Sequence, residues 1–326
     1  MKRFPLSLMA AGIVLASGSV PLFTHAAQIY LDPATGKYPP GVTFGVDVRV
    51  DTPHGQCLNV FEVDLSYPKD ILQAVAATDG NSILSVWVKE PTIYQDYGLV
   101  SLVGGLPGGY CGRVTGDPTL SNKLATIYFR FPTSTAPAAS SSVPQTARLS
   151  FLPGTRAVLN DGSGTIAPIT LSGASYATIL KGQYASVDTW QTALQNDATP
   201  PEPFTVSAYR DPSLFSNQWF AVFSTVDKQT GIDHYEVAEV PPSSLKQPQS
   251  QWNWFRAVSP YLIKDQTLND TIAVRAIDAA GNVRVAEYTA TSTQQKAPQQ
   301  AVSTWQYLAI IGVVGFVILQ FFLHLL

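Results

Sequence analysis

Apolar and polar positions alternate along most of this chain with a period of two. Val42, Phe44, Val46, Val48 and Val50 fall on one face of a run, and Thr43, Gly45, Asp47 and Arg49 fall on the other. That alternation predicts a strand buried on one side. Residues 58–67 repeat the pattern, and a phase change between Val60 and Phe61 predicts a bulge. Further strands read at 28–31, 83–89, 98–104, 124–130, 147–151, 157–159 and 175–180. Asp32-Pro33-Ala34-Thr35-Gly36 reads as a turn. A second group of strands reads at 204–209, 218–224, 234–240, 261–263, 271–277 and 283–290, with Ala279-Ala280-Gly281-Asn282 as a hairpin tip. There are no heptads and no repeat of 20–50 residues. The expected fold class is all-β, as two sandwiches.

The two ends differ from this pattern. Met1-Lys2-Arg3 precedes an apolar run over 6–20, and Thr24-His25-Ala26 has the small-residue look of a signal-peptidase site. Residues 307–326 carry no Asp, Glu, Lys or Arg, and at about 1.5 Å per residue they reach across about 30 Å of hydrocarbon. Trp305 and Tyr307 sit where an interfacial aromatic belt would lie. No Lys or Arg follows this segment, which leaves a helix docked in a membrane partner, or a sorting signal, as alternatives to an anchor. The expected organisation is a signal peptide at 1–26, a β-sandwich at 27–180, a linker at 181–203, a second β-sandwich at 204–292, a stalk at 293–303 and a transmembrane helix at 304–326. The expected location is a single-pass cell-membrane protein with its ectodomain outside.

Composition narrows the function. Charged residues make up 13% of the chain, the net charge is −3, and no run of Lys or Arg occurs. Nucleic-acid binding needs clustered cations, so no nucleic acid is expected as a partner. Cys57 and Cys111, an even pair in an exported chain, read as a disulfide. Only His54 and His234 lie outside the two end segments, too few for zinc or copper.

Enzyme chemistry finds little support. Glu62 and Asp64 stand two apart on a strand, as a solvated face does, and no G-x-S-x-G elbow stands out. Gly104-Gly105-Leu106-Pro107-Gly108-Gly109 lacks the Lys-Ser/Thr of a phosphate loop and reads as a wide turn beside Cys111. Asn160-Asp161-Gly162-Ser163-Gly164 clusters oxygen donors and could take calcium, but it lacks EF-hand spacing and reads as a turn. No cofactor is expected, with calcium left open. Trp87 is expected in the core. Tyr94, Tyr97 and Tyr110 are the candidate ligand-binding residues, since exposed rings stack on sugars or anchor protein interfaces. Trp252 and Trp254 would share a face, either covering the second sandwich or forming a contact patch.

Three stretches of the first unit carry a family resemblance: Val46–Val50 with 60–72 (Val-Phe-Glu-Val-Asp-Leu-Ser-Tyr-Pro-Lys-Asp-Ile-Leu), then Leu124-Ala125-Thr126-Ile127-Tyr128-Phe129, then 158–165 with 175–179. In this order they resemble the cohesin modules of bacterial surface and scaffold proteins. Lys69-Asp70 after Tyr67-Pro68 and the Cys57/Cys111 pair depart from the family pattern. The resemblance implies a nine-stranded jelly roll and non-catalytic recognition, either of a dockerin-type protein module or of polysaccharide. In the second unit, 230–237 and 274–282 resemble bacterial immunoglobulin-like modules. The expected function is a cell-surface binding or adhesion protein, with carbohydrate binding as the alternative.

Overall fold

Strands buried on one side stack in pairs of sheets, and the computed structural model, which describes residues 26–53, 56–113, 121–133, 144–179 and 187–290, places them so. The first unit contains β1 (Ala27–Asp32), β2 (Thr35–Tyr38), β3 (Thr43–Asp51), β4 (Leu58–Ser66), β5 (Gln73–Thr78) and β6 (Val86–Tyr94). It continues with β7 (Leu99–Tyr110), β8 (Lys123–Arg130), β9 (Thr146–Phe151), β10 (Arg156–Leu159), β11 (Ile169–Ser172) and β12 (Ala174–Thr178). One sheet has the order β11-β1-β3-β8-β5; the other has the order β2-β12-β9-β4-β7-β6, with β10 also paired to β4. The β1–β11 and β2–β12 pairs are parallel, so the first segment of the chain closes both sheets.

The inner faces follow the alternation. Phe44, Val46, Val48 and Val50 of β3 meet Phe61, Val63 and Leu65 of β4 in one buried cluster. At ~1.5–3 kcal/mol for each such side chain, this burial is the main force holding the unit together. Rings fill one end: Tyr38 stacks on Phe44 at 3.8 Å, and Phe44 meets Tyr176 at 5.1 Å. The Tyr176 hydroxyl, buried with its ring, donates to the Pro33 carbonyl at 2.5 Å. The Cys57–Cys111 disulfide is formed.

The structure departs from the sequence expectations in definite places. Among its described residues the first unit has twelve strands where nine were expected; at Pro33, which has no N–H to give a ladder, the chain passes from β1 in one sheet to β2 in the other. The 104–109 glycine run is no plain turn. It lies within β7 as a bulge, since Val60 pairs with Gly105 while Leu58 pairs with Tyr110. Gly108 and Gly109 take positive φ there, at 92° and 80°, which a side chain would resist. Trp87 is half-buried, with its ring lying over Gly104 and against the core edge.

The stretch expected as a linker, 181–203, contains a helix, α1 (Thr189–Asn196). Asp188 caps it by accepting from Gln191 N at 3.0 Å. The Thr43 hydroxyl also bonds the Asp188 carboxylate, and the Trp190 ring packs at a tilt against Tyr128, 4.5 Å between centroids. The helix thereby covers the outer face of β3 and β8.

The second unit has β13 (Ser207–Arg210), β14 (Trp219–Val222), β15 (Ile232–Val240), β16 (Phe255–Ala257), β17 (Tyr261–Leu262), β18 (Thr271–Asp278) and β19 (Val283–Tyr288). They form a three-stranded sheet, β13-β14-β17, and a four-stranded sheet, β16-β15-β18-β19, around a separate core of Phe223, Val237, Ile272 and Val274. Trp252 and Trp254 cover the outer face of the larger sheet, over Ala238, Val240 and Ala273, with Arg275 4.6 Å above the Trp254 ring. No helix among the described residues is long and apolar enough to cross a membrane; the span expected at 304–326 and, but for Ala26, the signal expected at 1–26 lie outside them.

Candidate binding face

Alternation gives every inward row an outward row, and on β4, β7 and β6 that row is mostly polar. Val60, Glu62, Asp64 and Ser66 of β4 stand opposite Gly105, Val103, Ser101 and Leu99 of β7. β7 in turn faces Val86, Lys89, Thr92 and Tyr94 of β6, and β10 adds Arg156 and Val158 beside Glu62 and Val60. The four strands make one continuous outer face.

Several of its polar groups engage one another. Arg156 Nη2 lies 2.5 Å from Glu62 Oε2, and Lys89 Nζ donates to the Ser101 hydroxyl at 3.1 Å. The Asp64 backbone is clamped on Thr155, whose hydroxyl is 3.1 Å from both Asp64 N and Asp64 O. The pair Glu62 and Asp64 belongs to a strand face, as their spacing implied. Two bulges on edge strand β6 push Val88, Glu90 and Pro91 out of the ladder. Val86 and Val88 remain 46% and 45% exposed, the apolar part of the face. Pro91 and the bulges keep this edge from pairing with another chain.

The candidate tyrosines do not form a row. Tyr94 is half-buried at the end of β6, with the Lys89 ammonium 5.8 Å from its ring centre. Tyr97 stands in a 3-10 turn after β6 and is 80% exposed. Tyr110 is a correction: it is 6% exposed, packed in the first core beside Leu58, so its ring is not offered to a ligand. It pairs with buried Leu58 across the ladder and joins the same core, which a lone tyrosine in a glycine-rich run did not reveal. Sequence reasoning also missed Val86, Val88 and Arg156, although the outward phase of the strands was the signal that could have found them.

The 160–164 segment, read as a turn, is one. Ser163 N donates to Asp161 Oδ1 at 2.8 Å, and the Thr165 hydroxyl bond, then this one, lower the Asp161 pKa. Elsewhere, Asp197, Asp227 and Asp278 bring carboxylate oxygens within 4.8 Å of one another, all buried. They hold protein donors: Asp197 takes the Thr230 hydroxyl at 2.5 Å, Asp227 takes Gln229, Thr230 and Gly231 N, and Asp278 takes Asn282 N at 2.8 Å. They pin the linker, the turn before β15 and the β18–β19 hairpin into one corner. Burial, and then the like charges of its neighbours, raise the Asp227 pKa.

No family model matches the chain, and no curated protein matches it. Among solved structures the chain is similar to a non-cellulosomal cohesin from the archaeon Archaeoglobus fulgidus, at 13% identity and a TM-score of 0.36, over 48% of this chain and 94% of that one. It is similar to a type I cohesin–dockerin complex from Clostridium thermocellum, at 11% identity and a TM-score of 0.36, over 47% of this chain and 93% of that one. A third is the sixth cohesin of scaffoldin B from Acetivibrio cellulolyticus, solved with a dockerin, at 15% identity and a TM-score of 0.35, over 48% of this chain and 99% of that one. All three are cohesins, the family that the motifs of the first unit resemble.

Proposed function

We propose that this chain is a non-catalytic binding protein of the cell surface, and that the outer face of β10, β4, β7 and β6 docks a protein module. One observation carries the reading. The face presents the Arg156–Glu62 ion pair, Lys89, Asp64 and Thr92 around exposed Val86 and Val88, with a single ring, Tyr94, at its end. Protein docking uses such a mixed face, whereas a sugar-binding platform needs a flat series of exposed rings. Among the described residues of the first unit, Tyr97 is the one strongly exposed aromatic.

A dockerin-type module is the partner class that the cohesin resemblance implies. The second unit serves as an immunoglobulin-like spacer, and residues 304–326 hold the chain in the membrane with both units outside. The test is a pull-down with the full chain in detergent micelles, against the proteins and the insoluble polysaccharides of its source. Retention of a defined protein module, lost in Val86→Arg, supports docking. Retention on polysaccharide that disappears in Tyr97→Ala would replace this reading with carbohydrate binding.

A further inference from the structure

The two units meet at a seam built from residues about 150 apart in sequence. The Thr78 hydroxyl at the end of β5 donates to the Thr230 carbonyl, and Ile232 N donates to Asp79 Oδ1 at 3.1 Å. Two glycines allow this approach. A side chain on Gly80 would run into the Gln229 carbonyl, and one on Gly231, which has φ of +80°, would run into Thr78 and Asp79. The backbones of the two units are thus in contact, and Asp79, 5% exposed, is sealed between them.

The surroundings of Asp79 are acidic. From β6 comes Glu90, from the turn before β15 comes Asp227, and from β15 come Asp233 and the Tyr235 phenol. The cation acting on this group is Arg256 of β16, which bears on Glu90. The donors reaching the Asp79 carboxylate are the N–H groups of Ile232 and of Asp79 itself. A buried carboxylate with acidic neighbours and no guanidinium or ammonium bonded to it favours its neutral form.

We propose that this seam is a proton-operated latch: with Asp79 neutral the units lock together, and ionisation of Asp79 loosens the second unit from the first. The direction follows from linkage. Burial first, then Glu90, push the docked Asp79 up to about 7 from its ordinary 3.8. Docking therefore takes up a proton; its contribution is full below about 3.8 and disappears as pH rises through about 7. Glu90 is raised for the same reason, so it adds to the effect in the same direction. An outer-surface protein would then be stiff in acid and hinged in neutral or alkaline surroundings, with α1 still bound to the first unit through Thr43 and Tyr128.

The test is a spin-label distance measurement on the full chain in detergent micelles, with labels at Tyr97→Cys and Val258→Cys, which are 80% and 78% exposed and lie on different units. The expected result is a narrow distance distribution at pH 5.5 that broadens by pH 8.5. In Asp79→Asn the narrow distribution persists at both pH values. An unchanged distribution in the parent protein across this range overturns the proposal, and so does an Asp79→Asn protein that still broadens as the parent does. Circular dichroism run alongside shows that each sandwich stays folded, so broadening reads the seam and not unfolding.

Discussion

Removing the disulfide tests how the proposed binding face is braced. Cys57 precedes β4 and Cys111 follows β7, with a sequence separation of 54. The bond closes a loop that contains β4, β5, β6 and β7, three of which make the outer face. In the chain-entropy account, a cross-link over a loop of this size removes about 4 kcal/mol of unfolded-state freedom, between the ~3 of a 15-residue loop and the ~4.7 of a 100-residue one. The bulge between Gly105 and Tyr110 makes the link matter locally as well, because ladder pairing with β4 lapses there and resumes at Leu58–Tyr110. The expected outcome of Cys57→Ala with Cys111→Ala is a loss of about 2–4 kcal/mol. At ~2–4 °C per kcal/mol for a unit of this size, the first transition in a calorimetric scan moves down by roughly 5–15 °C. The second unit has its own core, and its transition stays in place. A first transition that moves by less than ~1 °C would refute the reasoning, because residues 58–110 would then already be constrained without the bond.

Other substitutions read other parts of the account. Phe61→Ala empties a fully buried site between the sheets and should cost about 3–5 kcal/mol in a urea titration; a cost below ~1 kcal/mol would mean that the core is not packed as described. Asp188→Ala removes the cap of α1 and the acceptor of the Thr43 hydroxyl, so the helix should fray by about 1–2 kcal/mol and protease should cut between the units sooner. Tyr97→Ala should leave the thermal midpoint unchanged within ~0.5 kcal/mol, as expected of an exposed side chain. Since docked Asp79 titrates near 7, the thermal midpoint should be higher at pH 6 than at pH 8, and Asp79→Asn should flatten that difference.

Much of the fold was legible because one-sided burial writes a period of two into the residues. β3, β4, β8, β9, β15 and β18 all lie within a residue or two of the alternating runs, and the register shift between Leu58 and Val60 sits next to the expected bulge. β5 was not legible: Gln-Ala-Val-Ala-Ala-Thr has small side chains whose burial depends on what packs over them. Three-residue β16 and the eight-residue α1 are too short for any period to show. α1 exists because Thr43 and Tyr128, far off in sequence, give Asp188 and Trp190 somewhere to bind.

The candidate site was half legible. The outward polar row of β4, with Glu62 and Asp64, followed from the alternation. Tyr110 did not, because a tyrosine beside a disulfide faces in or out according to the partner strand, here Leu58. The seam at Asp79 was invisible for the same reason: its bond to Ile232 spans 153 positions.

The central claim is that the outer face of β10, β4, β7 and β6 binds a protein module. It is tested most directly by titrating a dockerin-type module into the full chain by calorimetry, for the parent protein and for Val86→Arg. The account predicts a saturable one-to-one complex whose affinity falls by about tenfold or more in the variant, since a buried apolar contact is replaced by an unpaired charge. An affinity unchanged by Val86→Arg, in a variant with the parent's thermal midpoint, would contradict it.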